Sequence, residues 1–226
     1  MEGSLGKLFP NIVPLWPEFL KAIYETLLMV SWSGLVSLLL GLVIGVTLIV
    51  TKKGGLLEYP SLYQILDKVI NFLRSIPFII LLTWVIPLSR LIMGTSIGIE
   101  GAIVPLIIGI TPFFSRQVEA ALSEIDWGLI EAADAMGTHP VDIILGVYLK
   151  ESISALSRAT TITVITLINL TAMAGVVGAG GLGDFAIRYG HDRNMSDVTW
   201  VTVFTVFVAV SIVQLIGNWI ARANQH

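Results

Sequence analysis

Leu27 to Val50 reads LLMVSWSGLVSLLLGLVIGVTLIV, without one charged residue. A helix needs about 20 mostly apolar residues to cross the hydrocarbon core of a bilayer, and this stretch exceeds that length. Lipid offers no partner to an unpaired backbone amide, so the stretch is predicted to span the membrane as a helix. Working outward, Ala159 to Gly183 and Val198 to Ala221 are also uncharged and long enough. Two weaker runs lie between them. Val69 to Ser89 is apolar apart from Arg74, and Gly101 to Ser115 is uncharged but short, with Glu100 and Arg116 at its ends. A long arginine side chain at a helix end reaches the interface. The prediction is an all-α integral membrane protein with about five transmembrane helices.

Composition agrees. Hydrophobic residues make up 55% of the 226 residues and charged residues 13%, against about 25% charged in a soluble domain. Mean hydropathy is +0.86. A formal net charge of −3 gives no reason to expect nucleic acid. The chain has no cysteine, which excludes disulfides, thiolate metal sites and cysteine nucleophiles. His139, His191 and His226 lack metal-ligand spacing. Glu2 and Lys7 form no basic head, and Pro10, Pro14 and Pro17 precede the first apolar run. That run is too long for a signal core, so it is expected to be retained as a span. No fixed-period repeat or low-complexity tract is evident.

Five helices place the termini on opposite sides. With the N-terminus outside, Lys52, Lys53, Lys68, Arg74, Arg116, Lys150, Arg158 and Arg222 fall on or near the cytoplasmic side. Lys7, Lys21, Arg90, Arg188 and Arg193 fall outside. The excess of inner positive charge favours this orientation. It makes Arg116 to Arg158, the longest polar connection, cytoplasmic. Leu129, Ile130, Ala133 and Met136 there recur at helical spacing. Gly137 suits a helix end and Pro140 the first turn of a new helix, with Asp142 favourable beside it. Val141, Ile144, Leu145 and Tyr148 continue the apolar face. Two short helices meeting at Gly137-Thr138-His139-Pro140 are predicted; the pattern alone leaves open a docking structure or an ordinary interfacial loop.

Gly178-Ala179-Gly180-Gly181-Leu182-Gly183 spells G-x-G-x-x-G, but no strand precedes it and no βαβ pattern surrounds it, so a dinucleotide site is not expected. Small residues there suit close helix approach or a break near the interface. Thr163, Thr166, Asn169, Met173 and Val177 share one helical stripe. By residue type alone, the stripe either lines a pathway or bonds helix to helix. Glu119, Glu124, Asp126, Glu131, Asp134, Asp142 and Glu151 read as a solvated, partner-facing surface rather than an acid–base site. No G-x-x-x-x-G-K-[ST] occurs, so any ATP hydrolysis must come from another chain. No charge interrupts the three strongest spans, which argues against proton coupling.

Glu131-Ala132-Ala133-x-x-x-Gly137 resembles the EAA motif of ABC importer permeases. The family pattern continues as I-x-L-P, where this chain has Val147-Tyr148-Leu149-Lys150; Lys150 replaces the proline and its bend. Asn71 to Leu81 (NFLRSIPFIIL) and Thr171 to Gly183 (TAMAGVVGAGGLG) are similar to methionine-type permeases. The likeness covers nearly the whole chain. It implies a single type I importer-like permease domain over 1–226, with a coupling-helix region at 124–146 between helices 3 and 4. It also implies a homodimer in a prokaryotic plasma membrane, two separate ATPase subunits that carry ATP and Mg, and an extracytoplasmic substrate-binding lipoprotein delivering methionine. This chain then holds no cofactor and is not itself an enzyme. By position, Glu131, Ala132, Ala133, Gly137, His139 and Pro140 belong to the ATPase-coupling segment. Met173 matches a pore constriction, which assigns Thr166, Asn169, Met173 and Val177 to the translocation pathway. A permease for another amino acid or small nutrient, and an ATP-independent channel or carrier, are the alternatives.

Overall fold

The computed structural model describes residues 10–224, which form helices and connecting turns with no strand. Glu2, Lys7 and His226 of the sequence reading lie outside the described residues. In chain order the helices are α1 (Trp16–Thr51), α2 (Pro60–Ser75), α3 (Phe78–Trp84), α4 (Ile86–Met93), α5 (Gly98–Ser123), α6 (Trp127–Ala135), α7 (Pro140–Ile143), α8 (Ile153–Ala174), α9 (Gly181–Phe185) and α10 (Ser196–Ala223). Wide π-helical turns follow α7, α8 and α9.

Among the described residues, four stretches are long and apolar enough to cross a membrane: α1, α5, α8 with its following turn to Ala179, and α10. They correspond to four of the five predicted runs. The fifth, Val69 to Ser89, is divided among α2, α3 and α4. Pro77 and Pro87 provide the physical reason, since proline lacks the N–H and crowds the preceding turn. Ile76 is extended there (ψ 122). The short run Gly101 to Ser115 is longer than expected, because α5 continues through Arg116 to Ser123. Arg116 is not solitary at an interface. Its guanidinium bonds Asp67, and Nη1 donates to Glu119 at 2.6 Å. Nη2 also donates to Asn71 Oδ1 at 3.2 Å. Paired in this way, the charge is compatible with a continuing helix.

Two compact units divide the chain. The first contains the chain up to Leu35, Pro77–Ile107 and Val164–Val213. Its core includes Ile12, Phe19, Ala22, Leu182, Phe185 and Val198. The rings of Phe19 and Phe185 lie 5.5 Å apart, and those of Phe185 and Tyr189 5.0 Å apart, distances at which aromatic pairs attract. Asp197, in the first turn of α10, accepts two hydrogen bonds from Asn11 at 2.9 Å each. The buried Ser89 hydroxyl donates to the Gly101 carbonyl at 2.6 Å.

The second unit contains Val36–Ile76, Ile108–Thr163 and the chain from Gln214 onward. Its core includes Ile49, Val50, Phe114, Val118, Leu122, Ile130, Ile143 and Tyr148. Gly45 lets α1 and α5 approach here: a Cβ would meet Val118 Cβ at 2.5 Å and the Ser115 carbonyl at 2.7 Å. Tyr63 donates to Glu119 at 3.2 Å, joining α2 to the Arg116 cluster. Burial, and then the Glu119 carboxylate, raise the Tyr63 phenol above its ordinary value.

Candidate functional site

The Glu131–Pro140 segment is built from local capping chemistry. Asp126 precedes α6 and accepts from the Gly128 N–H at 2.9 Å, satisfying one of the donors a helix start leaves free. At the other end, the Gly137 N–H donates to Asp134 at 2.9 Å and the Thr138 N–H to Ala133 at 3.2 Å. This paired closure needs a left-handed residue, and Gly137 supplies it with φ +75°. His139 then caps α7: its Nδ1 accepts from the Val141 N–H at 3.3 Å, with Pro140 in the first turn.

Burial separates residues that the spacing had put on one face. Ile130, Ala133, Ile143 and Tyr148 are sunk in the second unit's core. Leu129, Met136, Val141 and Leu145 are exposed, Met136 to 78%. The wide turn Ile144–Leu149 alters the helical register after α7, so the i, i+3, i+4 pattern is not kept there. Of the predicted coupling residues, Glu131, Ala132, Gly137 and His139 are exposed, Pro140 is half-buried, and Ala133 is buried. The segment thus carries apolar and acidic side chains on a surface that the second unit's core does not use. Lys150, where the family pattern has proline, donates its N–H to the Val147 carbonyl, a bond proline could not make.

The predicted stripe runs along α8 into the wide turn Gly175–Ala179. Thr163 at its start is buried and its hydroxyl donates to the Ala159 carbonyl at 2.8 Å. Thr166 is half-buried, while Asn169, Met173 and Val177 are exposed. The last three therefore lie on an outer surface of the chain rather than in its core.

Beyond Met173 the helix breaks. Val177 (φ −102°, ψ 18°) and Gly178 (φ 93°, ψ 19°) leave helical geometry, and Gly180 and Gly181 also have positive φ. The chain then folds back on itself: a Cβ on Gly175 would meet the Asp184 nitrogen at 2.5 Å, and one on Gly183 would overlap the Ala172 carbonyl. Glycine is needed here to make room as much as for its dihedral freedom. A polar cavity of about 450 Å³ lies against the break, with Glu18, Lys21, Glu25, Glu100, Asp184 and Arg188 among its lining. Lys21 lies 3.7 Å from Glu25, and Arg188 lies 2.8 Å from Asp184. No group of His, Cys, Asp and Glu among the described residues is arranged to hold a metal ion.

Residues 37–225 match the model of the binding-protein-dependent transport system inner membrane component. The chain belongs to this family. A probable D-methionine transport system permease protein MetI of Vibrio cholerae is 47% identical over 207 residues, covering 92% of each chain. The corresponding protein of Haemophilus influenzae is 41% identical over 212 residues, 94% of this chain and all of that one. Among solved structures, an inward-facing MetNI methionine ABC transporter contains a chain 43% identical to this one, with TM-score 0.92 over 94% of this chain and 99% of that chain. As an inner membrane component of a transport system, the chain is a multi-pass transport subunit and not an enzyme.

The family match spans both α6–α7 and the α8 stripe but begins after Glu25 and Thr26. Those two residues escaped the sequence reading. Their only signal was position: Glu25 is the last charge before the uncharged run of α1. Its partner is 156 residues away, which no local pattern encodes.

Proposed function

We infer that this chain is the membrane-spanning permease subunit of an ATP-driven importer and that its cargo is methionine. The observation that carries the reading is the α6–Gly137–α7 joint. It combines an EAA-type sequence, a left-handed glycine closure and exposed Leu129, Met136, Val141 and Leu145 on a rigid, well-capped element. The methionine assignment is supported by relatives above 40% identity that bear that name over nearly the full chain.

In this reading two copies pair in a prokaryotic plasma membrane with their N-termini outside, and an ATPase subunit docks on the joint of each. ATP and Mg reside on that partner, and an extracytoplasmic binding protein delivers cargo. Residues 124–146 form the coupling region, with Glu131, Ala132 and the Gly137 turn at the contact. Ala133 serves from inside, as the small residue that seats α6 in its own core. ATP favours one of two arrangements of the dimer by binding it more tightly, and the capped joint transmits the shift as a rigid element. Thr166, Asn169, Met173 and Val177 line the pathway between the copies. An exposed asparagine beside exposed methionine and valine fits a surface that meets both a polar backbone and a thioether side chain.

The test is co-purification from native membranes followed by uptake of labelled methionine in proteoliposomes supplied with the binding protein. Import that requires both ATP and an accompanying ATPase subunit is expected. Import without ATP, or purification without an ATPase, overturns the reading.

A further inference from the structure

The carboxylate of Glu25 is aimed at main chain. Oε2 accepts from the Gly181 N–H at 2.7 Å. The next residue, Thr26, accepts from the Leu182 N–H at 2.9 Å, and its own hydroxyl donates to the Ala22 carbonyl at 3.0 Å. Two consecutive side chains of α1 thus satisfy two consecutive N–H groups at the start of α9, which its own turn leaves without acceptors. Thr26 is buried and the Glu25 side chain is 18% exposed. Lys21, 75% exposed at 3.7 Å, is too solvated to compete for the carboxylate.

Beside the buried Ala179, Leu182 and Phe185, the break is mostly glycine. Gly175, Gly178, Gly180, Gly181 and Gly183 have no side chains to anchor, and two residues leave helical geometry. The glycines let α1 touch the backbone directly: a Cβ on Gly180 would meet Glu25 Oε2 at 2.6 Å, and one on Gly181 would meet Thr26 Oγ1 and Met29 Cε at 2.8 Å each. Met173, Val176 and Val177, all exposed, stand on the turns leading into this break.

We propose that Glu25 and Thr26 are positioning residues of the pathway: their side-chain oxygens hold the Gly180–Leu182 backbone and thereby fix the gate carried by Met173, Val176 and Val177. The proposal rests on the reading of the α8 stripe as pathway lining. The required chemistry is a hydrogen-bond acceptor at position 25, and charge is secondary. Gln keeps an acceptor of the same reach; Leu keeps the approximate bulk and removes it. Thr26→Val removes the second acceptor without changing shape.

The natural chain has no cysteine, so Val177→Cys introduces a unique thiol in this subunit. The assembled transporter carrying V177C, alone or with E25Q, E25L or T26V, is reconstituted, and two quantities are followed. One is the rate at which a charged methanethiosulfonate labels the V177C thiol without ATP. The other is labelled methionine imported per ATP hydrolysed. Membrane level and thermal midpoint are measured alongside. E25L and T26V are expected to raise the labelling rate and lower the import ratio by about tenfold, the scale of one lost bond to a buried N–H. E25Q is expected to stay within about twofold of V177C alone, because the acceptor survives. Unchanged labelling in both E25L and T26V, or an E25Q as defective as E25L, overturns the proposal. Should E25L fail to assemble, T26V alone decides. If V177C alone imports no methionine where the natural chain does, the labelling arm decides; if the natural chain imports none, the assigned cargo falls while the labelling result still judges the positioning role.

Discussion

The turn at Gly137 and the break at Gly175–Gly183 both use glycine with positive φ, yet for different reasons. Gly137 stands in the open: a Cβ there has nothing within 4 Å, and two backbone bonds close the turn. Only the dihedral demands glycine, so the free space around it is available to something outside the chain. Four of the five glycines of the break are the reverse. Gly175, Gly181 and Gly183 are pressed against the chain's own backbone or side chains, so volume as well as dihedral is constrained. One residue type thus makes an open, exposed turn in one place and a packed bend in the other; the proposed docking role belongs to the first. Within the break, Gly178 alone shares the free Cβ position of Gly137.

The largest effect that would sharpen this contrast is functional. Gly137→Trp should abolish methionine uptake while the subunit's membrane level stays within about twofold, since a Cβ at this exposed turn has no neighbour within 4 Å. Gly137→Ala carries the same left-handed strain, about 1–2 kcal/mol, without the bulk, and should retain uptake. Equal loss in both variants would make Gly137 a matter of strain and not of docking.

Next in size is Gly183→Ala. Its methyl group overlaps the Ala172 carbonyl, which cannot swing aside as a flexible side chain does. A loss of about 3 kcal/mol is expected from the displaced backbone, read as a collapse in membrane level and a lowered thermal midpoint of the solubilised complex. A midpoint equal to wild type would mean that the fold-back tolerates a side chain.

Asparagine tests dihedral against volume directly, since it tolerates the left-handed region. Gly181→Asn should destabilise by about 2 kcal/mol through crowding of Thr26 and Met29, and Gly137→Asn by less than about 1 kcal/mol. Indistinguishable midpoints for these two variants would break the comparison. The smallest stability effect belongs to Met173→Ala. At 42% exposure it should leave the midpoint within about the range of a surface change, 0.5 kcal/mol, yet raise passive leak of methionine without ATP. Unchanged leak would return Met173 to a packing role.

Much of this was readable locally, and the exceptions have a common cause. The apolar runs locate α1, α5, α8 and α10, because burial in lipid depends on residue type summed over a window. Gly137 and Pro140 mark where α6 ends and α7 begins, because capping is decided within a few residues. The local sequence places Arg116 at a helix end because its partner Asp67 is 49 residues away; once paired, the arginine sits within α5. Leu129 and Ile130 are neighbours of equal hydrophobicity, and only packing buries one and exposes the other.

Hydropathy, glycine and proline therefore determined by themselves that this chain is an all-helical membrane protein with a capped joint near residue 137. These are short-range properties, set by transfer to lipid and by backbone sterics. Tertiary structure decided that Ala133 faces inward while Met136 faces out, that Asn169, Met173 and Val177 lie on an outer surface, and that Glu25 and Thr26 grip the backbone at Gly181 and Leu182. Each of those depends on a partner brought close by folding, and no periodicity along the chain carries that information.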